Sequence, residues 1–392
     1  MHRPLLGSAS GAQTEEVYWV EEKPPTSRKS FFMELGKKKH PSLAYFLTVK
    51  SGVLSDRRSQ ILTKLSDSLV DLKRLIDFEI FRPQLDAVFA KPRKSASGRK
   101  AYDVVFMFKI LILQRLYNLS DEQIEFQIND RHSFQRFLGI RWGETVPDFT
   151  TVWNFREELT VAEAIKPLFD RFTQQLEDQK VITRVGTIID ASFVEVPRQR
   201  NTREENELIK SGKVPEPWKD QPAKLSQKDT DARWTKKNSE TFFGYKNHVT
   251  TDAESVIITD YKVTDASVHD SQVFPDLINE TQQTEAVFAD SAYKSKQTDE
   301  KLEELMIKNF IHEKAAKNRP LTSGQKELNK LKSGVRCLVE HVFGCVENSM
   351  GGPELEYIGE KRISTGIGLS NLAYNFLRYV QLVKLGRVSS VA

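Results

Sequence analysis

The sequence predicts an α/β fold that is preceded by a helical region. Residues 56–180 show helical periodicity, with short capped units, whereas the residues after 181 alternate between β-rich runs and helices. Their order of strand, hairpin, strand, helix, strand and helix suits a mixed sheet covered by helices. We therefore predict a flexible arm over 1–55, a helical domain over 56–180 and an α/β domain over 181–385.

Composition and cysteine use indicate the setting in which the chain works. The 392 residues carry a net charge of +4 and are enough for two or three domains. Cys337 and Cys345 are too far apart on one predicted helix to bridge, which indicates a reducing environment and no cysteine-based zinc site. The most apolar run, 104–113, is too short to span a bilayer and contains Lys109. We expect a soluble cytoplasmic protein with no membrane partner.

Three short helical units follow the apolar run. Ser120 with Gln123 forms a capping box, Asp130 is placed to cap the second unit, and Asp148 opens the third. Short helices joined this tightly suit a helix-turn-helix-like module, which binds DNA. A small helical packing domain is the alternative that the pattern leaves open.

The second half of the chain contains the predicted strands. They are 185–196, a hairpin over 244–264 that turns at 252–255, 285–290 and 309–315. The segment 197–240 lies between the first strand and the hairpin. It is long for a loop, which indicates a functional or a disordered insertion.

Carboxylates end two of the predicted strands. Asp190 ends "GTIID" and Asp290 ends "AVFAD", although each alone is compatible with an ordinary strand-end aspartate. Strand ends at one sheet edge place ligands, so the two acids can meet there. Glu340 lies on a predicted helix over 335–351 that can cross this edge, or it forms a surface ion pair with Arg336. Three such acids favour Mg²⁺ or Mn²⁺.

A site of this kind supports in-line displacement at phosphorus with two metal ions per site. Four basic side chains are candidates for contacting phosphates: Lys236, Lys237, Lys246 and Arg336. The sequence has no P-loop and no G-x-G-x-x-G between a strand and a helix, so no nucleotide cofactor is expected. The spacing of His248, His269 and His341 is not that of a zinc protease.

Two further features are candidates for DNA contact. The loop 91–100 holds five basic residues and no acidic one: Lys91, Arg93, Lys94, Arg99 and Lys100. This loop either is solvated surface or grips phosphates. Trp234 either stacks on an unpaired base or anchors the insertion to the core.

Six ordered blocks resemble one family. They are "IDASFVEVP", "FFGYKNHVTTD", "VTDASVHDS", "FADSAY", "VRCLVEHVFG" and "ISTGIGLSNLAYNFLRY". Together they resemble the DDE transposases of bacterial insertion sequences, specifically the fifth insertion-sequence family. The helical blocks "NLSDEQIEFQINDRHSFQRFLGI" and "VPDFTTVWNFREEL" resemble the N-terminal part of the same family, so the likeness spans about 75–380.

The resemblance implies a ribonuclease-H-like core with Asp190, Asp290 and Glu340 as its acidic triad, and a homodimer that acts on paired element ends. It implies a transposase that cleaves terminal inverted repeats and joins their 3′-hydroxyls to target DNA, associated with the nucleoid when bound. A DNA-binding protein that has lost cutting and a plain metal-dependent nuclease are the alternatives. Relatives often carry Lys or Arg where this chain has Glu347, so a phosphate contact or a metal-binding role at that position is open.

Overall fold

The computed structural model describes residue 61 and residues 67–90, 100–141, 143–237, 239–278, 284–315, 320–352 and 355–388. The predicted arm over 1–55 lies outside the described residues, and so does the basic loop up to Arg99. No helix in the described ranges is both long enough and apolar enough to cross a membrane.

The first part of the described chain is helical, as predicted. Its helices are α1 (Ser68–Leu75), α2 (Arg82–Phe89), α3 (Val104–Leu116), α4 (Asp121–Asp130), α5 (His132–Leu138), α6 (Phe149–Val161) and α7 (Ile165–Asp178). Ser120 and Gln123 form the predicted capping box of α4, and Asp148 caps α6. The predicted cap at Asp130 is wrong, because Asp130 ends α4 and Arg131 precedes α5 without a side-chain cap.

The sheet has six strands: β1 (Thr187–Glu195), β2 (Arg233–Lys237), β3 (Glu240–Asp252), β4 (Ile258–Asp265), β5 (Ala286–Ala289) and β6 (Lys308–Asn309). The strand β1 runs parallel to β5 and antiparallel to β3, and β5 runs parallel to β6. Both β4 and β2 pair antiparallel with β3. In the order β4-β3-β1-β5-β6 only β3 is reversed, which is the mixed sheet of a ribonuclease-H-like core.

The first predicted strand agrees with the structure, whereas the last has different limits. The strand predicted over 185–196 is β1, which continues past Asp190 to Glu195 with β3 alongside it, so Asp190 lies within the strand and not at its end. The last strand, predicted over 309–315, is only the two residues of β6. The amides of Phe310 and His312 still donate to Val287 and Ala289, so the chain stays beside β5 beyond β6.

The insertion over 197–240 is folded. It contains α8 (Arg203–Lys210), α9 (Glu216–Lys219), α10 (Pro222–Leu225) and the edge strand β2. Trp218 is fully buried and its Nε1 donates to Glu205 Oε1 at 2.7 Å, while Lys224 and Lys228 lie over its ring. Since a tryptophan buries a large apolar area, this small core orders a segment that is too long for a simple loop.

The remaining helices are α11 (Asp270–Leu277), α12 (Lys296–Glu304), α13 (Ser323–Arg336), α14 (Glu340–Ser349) and α15 (Glu360–Lys384). The single helix predicted over 335–351 is wrong. A 3₁₀ turn over Cys337–Val339 separates α13 from α14, and Val339 in this turn is buried. Short 3₁₀ turns commonly join helices. Glu340 is therefore the first residue of a helix.

The C-terminal helix α15 holds the sheet to the helical region. Asn371 exchanges hydrogen bonds with Asn247 of β3, and Asn375 bonds both the amide and the carbonyl of Ile258. A Cβ at Gly368 would lie 2.3 Å from the Tyr261 hydroxyl, so this helix needs glycine to approach β4. One hydrophobic cluster runs from Leu69 to Leu382. The helical region and the α/β region, which the sequence analysis separates at residue 180, thus share one hydrophobic core.

Candidate active site

Neighbouring strands place Asp190 beside Asp290. In the parallel pairing of β1 with β5, Ile189 lies opposite Ala289. Asp190 is the next residue of β1, and Asp290 directly follows the end of β5. Asp190 Oδ1 accepts a hydrogen bond from the Ala191 amide at 2.8 Å. Asp290 Oδ1 accepts one from the Ala292 amide at 2.8 Å and caps the short 3₁₀ turn that follows β5. The backbone thereby fixes both carboxylates.

Arg336 connects the third acid to this pair. Its Nη1 lies 2.9 Å from Asp190 Oδ2, and its Nη2 lies 3.7 Å from Glu340 Oε1. The ion pair considered from the sequence is therefore present, but the shorter contact of Arg336 is with Asp190. The side chain of Glu340 is 66% exposed, compared with 19% for Asp190.

The environment of Asp190 opposes its ionisation. The pKa of this carboxyl is raised to about 6, with burial as the largest cause and the charge of Asp290 acting in the same direction. The Ala191 amide, Arg336 and Lys237 act in the opposite direction. Burial prevails even though an arginine lies within hydrogen-bond distance, which is typical of a carboxyl in a functional site.

The donor chemistry of the acids fits a hard divalent cation. Carboxylate oxygens are the ligands of Mg²⁺ and Mn²⁺, and a cation would relieve the repulsion between Asp190 and Asp290. Within the described ranges, however, no three His, Cys, Asp or Glu side chains lie close enough together to hold a metal ion. The two strand acids are adjacent, and Glu340 is connected to them through Arg336 instead of joining a ready-made cluster.

The predicted phosphate-binding side chains lie in different environments. Lys236 and Lys237 are exposed on the edge strand β2, and the charge of Lys237 lowers the pKa of Asp190. Lys246 is buried, and its ammonium donates to Val268 O at 2.7 Å and to Asp270 Oδ1 at 2.9 Å. The structure thus turns Lys246 toward the protein. Trp234 is 42% exposed and packs on Phe243 with 4.9 Å between ring centroids.

The other sequence candidates lie apart from the acids or outside the described residues. Lys100 is exposed, whereas Lys91, Arg93, Lys94 and Arg99 fall outside the described residues. Glu347 is exposed on α14 and borders a small cavity.

The three histidines have the ordinary roles that their spacing favours. His248 is buried and bonds Thr264 through Nε2, and burial lowers its pKa to about 4. His269 caps α11, and His341 is exposed on α14.

Sequence reasoning did not single out Tyr293. This tyrosine ends the turn capped by Asp290 and is fully buried, and its hydroxyl has no hydrogen-bond partner within the described ranges. Burial, together with the charges of Asp270, Asp190 and Asp290, raises its pKa well above its usual value. The block "FADSAY" contains Tyr293. However, no pattern in the sequence distinguishes a buried tyrosine beside the candidate acids from an ordinary core tyrosine.

Comparison with known proteins identifies the family. The family described as "Transposase DDE domain" matches residues 182–376, and the one described as "Transposase domain (DUF772)" matches residues 57–158. A solved structure, the cryo-EM structure of the piggyBac transposase synaptic complex with hairpin DNA, is 11% identical with a TM-score of 0.40, covering 80% of this chain and 76% of that chain. The two family matches cover most of the chain, and the chain therefore belongs to the DDE transposases.

Proposed function

We propose that this chain cleaves DNA at the ends of a mobile element and joins the freed 3′-hydroxyls to target DNA. Asp190, Asp290 and Glu340 are the acids that carry out this reaction. The observation that carries the proposal is the adjacent placement of Asp190 and Asp290 on parallel strands, with Arg336 connecting Asp190 to Glu340. Family membership supports a divalent metal, and two ions per site is our finer proposal.

The roles of the side chains follow from their positions. Asp190 and Asp290 hold the metal at a fixed place because backbone amides orient both carboxylates. Glu340, which is exposed at the start of α14, completes the oxygen set when it moves toward them. A pair of Mg²⁺ ions held by these acids would supply activation of the attacking oxygen and stabilisation of the leaving oxygen. Arg336 pairs with the negative charge of Asp190 and would be available to contact a DNA phosphate.

The DNA partner is assigned by charge. Lys236 and Lys237 are exposed on β2, and the charge of Lys237 acts on Asp190, so we assign these two lysines to phosphate contact beside the cleaved bond. We assign the element ends to the helical region, with the basic loop 91–100 gripping backbone phosphates, and we propose a homodimer that pairs two ends. Neutralising the five cations of the loop lowers the affinity for end DNA and random DNA alike. It also makes the slope of the logarithm of the binding constant against the logarithm of the salt concentration shallower, by about 0.9 for each phosphate that the loop no longer neutralises.

A strand-transfer assay tests the reaction. Purified protein is incubated with Mg²⁺, a labelled duplex with 3′-hydroxyl ends from the flanking inverted repeats, and a target plasmid. Joined product is expected. Cutting without joining would indicate the plain nuclease, and binding without cutting would indicate the DNA-binding protein that has lost catalysis. An intact set of three acids favours the transposase over the latter.

A further inference from the structure

Arg115 of α3 is a buried arginine without a carboxylate partner among the described residues. The residue is 7% exposed, and its Nε donates to Ser370 Oγ at 3.1 Å. In the part of the chain that the structure describes, no carboxylate lies within ion-pair distance of its guanidinium. Burial is the largest cause that lowers its pKa, and the charge of Arg156 acts in the same direction. Because an isolated charge is costly to remove from water, buried charges ordinarily have a partner.

Arg156 of α6 shows the ordinary arrangement. It is buried to a similar extent, at 5%, but its Nη1 and Nη2 donate to the two carboxylate oxygens of Asp121 at 2.6 Å and 2.8 Å. This bidentate pair neutralises Arg156 and occupies both oxygens of Asp121. The charge of Arg115 therefore requires a different anion.

Arg115 lines a cavity of about 30 Å³. The sheet contributes Ser192 and Asn247 to its walls, α15 contributes Asn371, and α14 covers it. Ser192 lies opposite Asn247 in the pairing of β1 with β3 and is two residues beyond Asp190, so both side chains are on the same face of the sheet as Asp190. The cavity thus lies where the helical region meets the sheet.

Several hydrogen-bond donors surround this cavity. Asn247 and Asn371 exchange hydrogen bonds at 2.9 Å and 3.2 Å, each of which uses one amide N–H and leaves the second. The hydroxyl of Ser192 makes no hydrogen bond within the described residues and can donate as well. Glu347 is an acid of the lining, but it is exposed on α14, so solvent screens its charge. Donors around a buried cation are the chemistry of an anion site.

The size of the cavity limits the ligand. A water molecule needs about 10–15 Å³ of such a space, so a cavity of about 30 Å³ admits a chloride-sized ion or two water molecules. A phosphate or a larger organic anion does not fit. Water alone would leave the charge of Arg115 without a counter-ion, and the charge therefore favours the small anion.

We propose that Arg115, Ser192, Asn247 and Asn371 form a binding site for a small monovalent anion such as chloride. The anion neutralises Arg115 where α3 meets the sheet and α15, and it thereby stabilises the contact between the helical region and the sheet. The site goes beyond the proposed function. It requires neither DNA nor divalent metal, so it can fail or hold independently of that function.

Unfolding midpoints in chloride and in gluconate test the site. The full chain is melted in EDTA without DNA, in mixtures of sodium chloride and sodium gluconate at constant ionic strength, because gluconate is too large for the cavity. Replacing gluconate with about 0.3 M chloride is expected to raise the wild-type midpoint by about 2–4 °C, since a ligand that binds only the folded state stabilises it.

Matched variants keep the test specific. Arg115→Met removes the cation at similar length and should abolish the rise caused by chloride. Ser192→Val fills the cavity from a strand position that suits a β-branched residue, and it should abolish the rise even if Arg115→Met does not fold. Arg362→Met removes the same charge from an arginine that pairs with Glu157 outside the cavity, and it should keep the full rise.

Three results would overturn the anion site. One is a wild-type midpoint that is the same in chloride and in gluconate. Another is a full chloride-dependent rise in Arg115→Met or in Ser192→Val. The third is a rise that appears only in Glu347→Gln, which would show that the Glu347 carboxylate neutralises Arg115 in the wild-type protein.

Discussion

Asp190 and Asp290 differ from Glu340 in what holds them in place. The two aspartates lie on central strands, accept hydrogen bonds from backbone amides, and are joined by the pairing of β1 with β5. Glu340 begins α14 directly after a 3₁₀ turn, and its side chain is 66% exposed with Arg336 as its partner at 3.7 Å. Two acids of the proposed site are thus held by the backbone, whereas the third is exposed. In this proposal the site is built on the sheet and completed by the first residue of a helix.

The largest effect is expected when any one of the three carboxylates is removed. Asp190→Asn, Asp290→Asn and Glu340→Gln each delete an oxygen ligand, so cleavage and joining should fall by about a thousandfold or more while DNA binding survives or strengthens. Gel assays of cleavage, joining and binding measure this. Near wild-type joining by any of the three amides would remove that acid from the site.

Changing side-chain length probes the contrast between rigid and adjustable acids. Asp190→Glu and Asp290→Glu should be nearly as inactive as the amides, because fixed strand positions cannot accommodate another methylene without displacing the carboxylate. Glu340→Asp should keep measurable joining, since an exposed helix end can shift to restore the contact. Joining rates in Mg²⁺ give the comparison. Equal losses at all three positions would show that Glu340 is as constrained as the aspartates.

Arg336 is the connection between the two kinds of acid, and its removal should have a smaller effect. Arg336→Gln takes a cation from Asp190 and from the DNA phosphate, which we expect to lower joining by about 10- to 100-fold. Arg336→Lys keeps the charge but loses the second guanidinium nitrogen that contacts a carboxylate. Its joining rate should therefore lie between those of wild type and Arg336→Gln. A wild-type rate for Arg336→Gln would show that its contact with Asp190 is not needed.

The raised pKa of Asp190 predicts a stability effect opposite in sign to the effect on activity. Its pKa of about 6 lies above the unfolded value, so its contribution to stability is complete at low pH and is lost as pH rises through that pKa. Without divalent metal, Asp190→Asn should therefore raise the free energy of unfolding by about 1–3 kcal/mol at pH 8 and by little at pH 4. Denaturant melts at both pH values measure it, with the more exposed Glu340→Gln as the control. A gain that is equal at both pH values would contradict the assignment.

Glu347 should have the smallest effect. It is exposed seven residues beyond Glu340, and within the described ranges no three potential metal-ligand side chains gather around it. Glu347→Lys should leave joining within about twofold of wild type and tighten DNA binding slightly. A loss as large as that of Glu340→Gln would place Glu347 in the metal site instead.

Local sequence signals determined much of the architecture. Caps at Ser120 and Asp148, the buried helix α3, the β3–β4 hairpin and the strand before Asp290 all follow from periodicity and turn chemistry, which depend on near neighbours. Asp190 and Asp290 became candidates because a carboxylate after an apolar run has no packing role.

Contacts between distant parts of the chain decided the rest. Packing on buried Trp218 ordered the insertion, and α15 joined the helical region to the sheet through Asn371 and Asn375, neither of which a local pattern reveals. Pairing in the sheet turned Lys246 toward Asp270 and stacked Phe193 on Phe242. Strand pairing and burial are set by partners far away in sequence, so only the tertiary structure could determine them.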